Sequence, residues 1–334
     1  MKTLTAKEFS QATGRFYLTP CCRDILRSFD CRYEELSPSE TEKIVDQVRV
    51  ETLNASFVGA PDREHRWESC WAETLNGYQQ TQSDDNYQRM AWIDGEQKSE
   101  LKLLGESAEL SLIPKYLLDH QQKVLRLNER FIKPVDISFH LNFWRALRAQ
   151  LFEEWLIWPN YLRTTQSAIY ELGSGSAWNL AAIKAMFPTT KCYGLDWSPS
   201  AVTLASLIGD GGWRFNLRRP TPVHTPDRFA VITCGALEQI GGDHQPLLEW
   251  LLQQKPTLCL HVEPLLPLYI NSGTVTPFDQ LAMDYHMARG YLHGFLESLR
   301  WLNEQQKIEI LKVQRVRFGG MYNEGYSYVV WRPR

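Results

Sequence analysis

One turn constrains this chain more than any other feature of it. Tyr170-Glu171-Leu172-Gly173-Ser174-Gly175-Ser176-Ala177 carries a β-rich run into an acid, then two glycines one residue apart, then an apolar helical run. Glycine admits positive φ and lets a ligand approach the main chain. The helix start beyond it offers unpaired N–H groups to a carboxylate or phosphate. A second β-rich run, 191–195, leads to Asp196, 21 residues after Gly175. A carboxylate at that strand end can accept hydrogen bonds from both hydroxyls of a ribose. Strand, glycine turn, helix and strand in this order call for a parallel sheet covered on both faces.

The surrounding sequence supplies the rest of such a sheet. From about residue 165 the spacing predicts strands at 167–172, 191–195, 213–217, 229–234 and 257–262, and helices at 177–187, 198–207 and 245–254. Two further β-rich runs, 307–318 and 325–331, flank Gly319-Gly320 and predict an antiparallel hairpin closing the sheet. The chain therefore divides into a mostly helical N-terminal region, 1–164, and an α/β region, 165–334. In the first region 38–53, 64–75, 113–131 and 139–155 mix apolar and charged residues at helical spacing. Ser37-Pro38 marks a helix start, and the polar stretch 79–86 predicts an exposed loop. Trp67, Trp71, Phe143 and Trp144 read as core.

Composition excludes several classes. With a net charge of -3 over 334 residues, and neither half a basic arm, a strongly electropositive nucleic-acid binder is disfavoured. The seven cysteines include no CxxC pair, which speaks against a zinc site and for reduced thiols. The N-terminal residues lack the apolar stretch of a signal peptide, and no apolar run is long enough to span a bilayer. These features predict a cytoplasmic protein without a membrane partner.

A dinucleotide fingerprint, GxGxxG, uses the same turn. Here its third position is Trp178, too bulky for close helix–strand packing, and Glu171 has no role in cradling a pyrophosphate. Glu171 suits a ligand that carries an ammonium group. The pattern resembles motif I of class I S-adenosylmethionine (SAM)-dependent methyltransferases, ExGxGxG, with Ala177 at the third glycine. Gly194-Leu195-Asp196-Trp197-Ser198 resembles that family's second-strand signature, GxDxS, and 229–238 resembles its fourth strand. The resemblance covers about 165–334 and implies a Rossmann-like α/β fold with SAM as cofactor. It implies that Gly173, Ser174 and Gly175 border the methionine moiety beside Glu171, and that Asp196 holds the ribose. Trp197 would flank the adenine, near Leu217 and Gly235, and Asn216 would read the adenine amino group.

The acceptor side is less determined. After the fourth strand, Cys234-Gly235-Ala236-Leu237 replaces the Asn/Asp-Pro-Pro-aromatic motif typical of adenine-N6 methyltransferases. The ligand positions of metal-dependent catechol-type enzymes are unoccupied, so no catalytic metal is expected. Glu263 ends the fifth strand, where active-site residues of open α/β sheets lie. One long helix is predicted over 279–302, with Leu281, Tyr285, Ala288, Leu292, Phe295 and Leu299 as its apolar stripe. His286, Arg289, His293 and Glu297 form its polar stripe. His286, His293 and Glu263 are then candidate acid–base residues, and Tyr285 and Arg289 candidate acceptor contacts. The expected activity is methyl transfer to oxygen or nitrogen of a small-molecule or sugar-like acceptor. An RNA-modifying methyltransferase, a nucleotide-binding oxidoreductase and a non-catalytic SAM-binding protein are the alternatives.

Overall fold

Thr5 opens the first helix with a reciprocal cap. Its hydroxyl accepts from Glu8 N at 3.1 Å, while the Glu8 carboxylate accepts from Thr5 N at 3.1 Å, so two of the donors a helix start leaves unpaired are satisfied. The computed structural model describes residues 1–53, 60–83, 123–136, 138–157, 168–270 and 275–334. Strand β1 (Lys2–Thr3) precedes helix α1 (Ala6–Thr13). Then come α2 (Pro20–Ser28), β2 (Arg32–Glu35), α3 (Pro38–Leu53), α4 (Ala60–Ser83), β3 (Leu125–Leu127), β4 (Arg130–Pro134) and α5 (Ser138–Leu151), whose last turn widens into a π-helix at Phe152–Ile157.

This region is less helical than its sequence predicts. The described part of the expected helix 113–131 is the hairpin β3–β4; residues 113–122 lie outside the described residues. Asn128 and Glu129 form the hairpin turn with φ of 48° and 63°, the paired left-handed conformation that matches strand twist. The expected loop at 79–86 is helical through Ser83, as the end of α4; 84–86 lie outside the described residues.

The second half follows the expected alternation: β5 (Ala168–Leu172), α6 (Trp178–Met186), β6 (Lys191–Asp196), α7 (Pro199–Ile208), β7 (Gly212–Arg214), β8 (Phe229–Cys234), α8 (Gln245–Gln254), β9 (Leu258–Val262), α9 (Pro277–Ala288), α10 (Phe295–Glu304), β10 (Ile308–Gln314), β11 (Phe318–Gly320) and β12 (Tyr328–Pro333). Seven strands form one sheet in the order β10-β12-β9-β8-β5-β6-β7. β5 through β9 pair in parallel, and β12 runs antiparallel between β9 and β10. This is the Rossmann-like sheet with a closing C-terminal hairpin. A dinucleotide-binding sheet would instead continue with a sixth parallel strand. One departure from the expected hairpin is β11, which leaves β10 and β12 to pair with β3, so the second sheet has the order β1-β2-β4-β3-β11.

Successive strand residues point to opposite faces, and the two apolar cores follow that period. Ile169, Ala230, Ile232, Leu258 and Val330 enter one core with α5 and the small sheet. Ala168, Tyr170, Val231, Cys259 and Val329 enter the other, with α8 and α10. Helix α5 is buried around its whole circumference. Its Phe143 stacks on Phe318 of β11 at 3.6 Å, and its Arg148 reaches α6, donating to Asn179 at 3.2 Å. None of the seven cysteines, all of them described, forms a disulfide, and no described helix is long and apolar enough to cross a membrane.

The long helix expected over 279–302 is two helices. α9 ends at Ala288 and α10 begins at Phe295, with Gly290 and Gly294 between them at φ of 57° and 75°. Two left-handed glycines end one helix and restart another in a new direction.

Candidate functional site

The carboxyl ends of β5, β6, β8 and β9 meet at the glycine turn. Gly173, Gly175 and Ala177 take φ of 70°, 50° and 60°, so left-handed residues alternate along the turn. Gly173 N donates to Leu195 O at 2.7 Å and Ala177 N to Ser174 O at 2.8 Å. A Cβ on Gly173 would come within 2.4 Å of the Ala236 Cβ, so glycine is required by contact as well as by φ. Leu217 and Ala236 line this spot, and beyond Gly235, itself at φ 64°, there is open space. Ser174 turns its side chain away, into the space left by Gly194 of β6.

Asp196 sits where expected and is already engaged. Its Oδ2 accepts from Gly175 N and its Oδ1 from Ser198 N, both at 2.9 Å. Burial pushes its carboxyl up to about 6, against the pull of these N–H donors. Each oxygen keeps a second lone pair that could accept a ribose hydroxyl. Trp197 follows it, half-buried. Asn216 closes its own turn, its amide oxygen accepting from Arg218 N at 2.8 Å, and that oxygen keeps a second lone pair for another donor.

Glu171 is the most informative group. Its side chain is fully enclosed at the end of β5, and burial raises its carboxyl to about 8. Oε1 accepts from Asn179 Nδ2 at 2.6 Å. Oε2 is buried and has no hydrogen-bond partner among the described residues. A buried carboxylate oxygen left open is costly without a donor, and an ammonium group is the donor that suits it best.

The acid–base candidates do not face this turn as free side chains. His286 is fully buried; burial lowers its pKa, and Nε2–H donates to Leu292 O at 2.7 Å. His293 lies within the break between α9 and α10, exposed, with its ring against Gly242 and Nδ1–H donating to Tyr291 O at 3.1 Å. The two histidines therefore do not share one helical face with Arg289, contrary to the expected polar stripe. Glu263 is also enclosed and, raised by burial to about 7, accepts from the N–H groups of Ala236, Leu237 and Glu238 at 3.1–3.2 Å. It clamps the turn after β8 instead of facing an acceptor. Tyr285 stacks on Tyr322 at 4.7 Å, and Arg289 lies over Tyr291 at 5.6 Å and hydrogen-bonds it.

Helix α4 supplies residues the sequence assigned to core or to no role. Trp71 lies over the glycine turn, where a Cβ on Gly175 would be 2.7 Å from its ring. Trp67 stacks on Trp71 at 5.2 Å and donates from Nε1 to Gln239 at 3.2 Å. Glu68 accepts from the hydroxyls of Ser198 and Ser200 at the start of α7. By contrast Phe143 and Trp144 are core, as expected. Among the described residues no group of three or more His, Cys, Asp or Glu could hold a metal ion.

No family profile and no curated protein matches this sequence. Several solved structures similar to it in part are methyltransferases. A riboflavin-analogue dimethyltransferase from Streptomyces davawensis is 14% identical with a TM-score of 0.38; the match covers 59% of this chain and 58% of that one. A plantazolicin methyltransferase is 15% identical with a TM-score of 0.38, over 57% of this chain and 85% of that one. The human N-acetylserotonin methyltransferase is 13% identical with a TM-score of 0.35, over 59% and 57%. The chain thus spans little more than half the length of two of these three.

Proposed function

We propose that this chain is a SAM-dependent methyltransferase acting on oxygen or nitrogen of a small-molecule acceptor. The observation that carries this reading is Glu171: a buried carboxylate with one oxygen held and the other open, beside a left-handed glycine turn tied to Asp196. That pairing fits a ligand with an ammonium group at one end and a ribose at the other, and it does not fit a pyrophosphate. Glu171 would take the amino group, the Gly173–Gly175 backbone the methionine chain and Asp196 the ribose. Leu217, Ala236 and Trp197 would give the adenine an apolar seat. When bound, the cofactor supplies an electrophilic methyl group.

The residues around it then bind, orient and exclude water. Such a transfer is governed by alignment of the acceptor lone pair, so it requires no general base among His286, His293 and Glu263. We place the acceptor side where Glu238 adjoins Tyr285, Arg289 and Tyr291, on all three of which it acts electrostatically. We place the protein in the cytoplasm and its chemistry outside divalent-metal catalysis.

The Trp71 ring lies against Gly175, and we infer that α4 covers the cofactor seat until the ligand enters. Thermal denaturation tests this assignment. S-adenosylhomocysteine raises the melting temperature, by an amount that corresponds to about 2.7 kcal/mol at a hundredfold excess over its dissociation constant. NAD leaves it unchanged. A shift with NAD and none with S-adenosylhomocysteine overturns the assignment.

A further inference from the structure

Arg148 belongs to the N-terminal region, yet its guanidinium is enclosed against the first helix of the large sheet. It lies 4.5 Å over the Trp178 ring and donates from Nη1 to Asn179 Oδ1 at 3.2 Å. Asn179 in turn donates from Nδ2 to Glu171 Oε1 at 2.6 Å. The direction of this chain is fixed. An amide turned the other way would set its N–H groups against the guanidinium and its oxygen against the carboxylate. Arg148 thereby settles that Asn179 turns its N–H groups, and not its oxygen, toward Glu171.

Resting on the SAM-binding reading of this site, we propose that Arg148 and Asn179 are positioning residues that orient Glu171 and favour its ionised form for the ligand's ammonium group. Every charged or titratable neighbour of Glu171 bears on this. Asp196 from β6 disfavours its charge, Cys234 from β8 sits close by as a thiol kept protonated by burial first and by Glu171 second, and burial opposes the ionisation of Glu171 most of all. Against these stand the Asn179 hydrogen bond and the Arg148 charge. A protonated Glu171 would give an ammonium only a neutral acceptor, and the charge-assisted bond would be lost. Helix α5 thereby brings a buried cation to this carboxylate from across the fold.

The test compares two probes on the full chain by calorimetry between pH 6 and pH 8.5. S-adenosylhomocysteine carries the amino-acid end; 5′-deoxy-5′-methylthioadenosine keeps the adenine, ribose and sulfur without it. In Arg148→Met, affinity for S-adenosylhomocysteine at pH 7 falls roughly tenfold. The rising limb of that affinity against pH moves up by about one unit of pKa, so that in the variant it still climbs steeply at about pH 8.5, where the wild type is levelling off. Affinity for methylthioadenosine changes less than about twofold, well under one unit's worth. Arg148→Lys restores part of the loss. Should Arg148→Met fail to fold, Asn179→Leu gives the same pattern with the guanidinium left in place. Equal weakening of both probes with an unmoved pH profile makes Arg148 merely structural and overturns the proposal alone. Wild-type protein that binds neither probe overturns the reading of the site, and this proposal with it.

Discussion

Asp196 shows how much of this site is decided one residue at a time. A strand-end aspartate 21 residues after Gly175 is legible in the sequence, because both its position and its chemistry follow from the strand and the turn. Its double duty is not, since that depends on where the Gly175 and Ser198 amides point after folding. With Asp196→Ala those two buried N–H groups lose their acceptor, at about 1–3 kcal/mol each when no water replaces it. The substitution therefore lowers stability in urea denaturation and weakens S-adenosylhomocysteine in calorimetry. Unchanged stability would mean that the turn holds itself without the carboxylate. Glu263 illustrates the opposite limit. An acid ending a buried strand reads as chemistry in the sequence, but β8 and β9 lie side by side, and the N–H groups after β8 claim both its oxygens. Arg148 was silent for the same reason: nothing in its local sequence says that it meets Trp178 and Asn179 across the fold.

Among elements, the long strands and the helices between them were legible because their period and their turn residues agree. The short strands of the small sheet were not. β3 and β4 carry arginines and a lysine among their apolar residues, and 113–131 as a whole has helical spacing. The hairpin signal was there in Asn128, a residue that tolerates left-handed φ. The break between α9 and α10 had its signal too, in Gly290 and Gly294, but apolar residues three and four apart ran through it by coincidence. Helix α4 was legible as a helix and not as a cover over the site, because amphipathic spacing says that a face is buried and never against what. Its Trp71 and Trp67 now give a prediction. The closed arrangement competes with the cofactor, so the affinity of the open state is scaled down by the fraction of molecules that are open. Trp71→Ala removes about 1–2 kcal/mol of half-buried contact, and S-adenosylhomocysteine then binds about tenfold more tightly. Indole fluorescence in the wild type changes on binding as Trp71 leaves Gly175. Weaker binding in Trp71→Ala would make the indole a wall of the cofactor site instead of its cover.

For the whole molecule, the buried titratable groups set a pH dependence whose sign can be worked out. Burial raises Asp196 to about 6, Glu263 to about 7 and Glu171 to about 8. Between the ordinary carboxylate range and these values the folded chain holds protons that the unfolded chain has released, so stability falls as pH rises through that window. Burial lowers His140 to about 4 and His261 to about 3. Below about pH 6.5 the unfolded chain binds protons there that the folded chain refuses, so stability falls as pH drops. Between about pH 4.5 and pH 6.5 the two effects oppose each other; above about pH 6.5 the carboxylates act alone, and the melting temperature of the ligand-free protein declines through pH 8. The alkaline decline belongs mainly to Glu171, the group raised furthest. A bound ammonium compensates its charge, so S-adenosylhomocysteine flattens the curve between pH 6.5 and pH 8 and leaves the acid side unchanged. Melting curves across pH 5–8.5, with and without that ligand, check this directly. A ligand effect equal at every pH would mean that Glu171 does not receive the ammonium group.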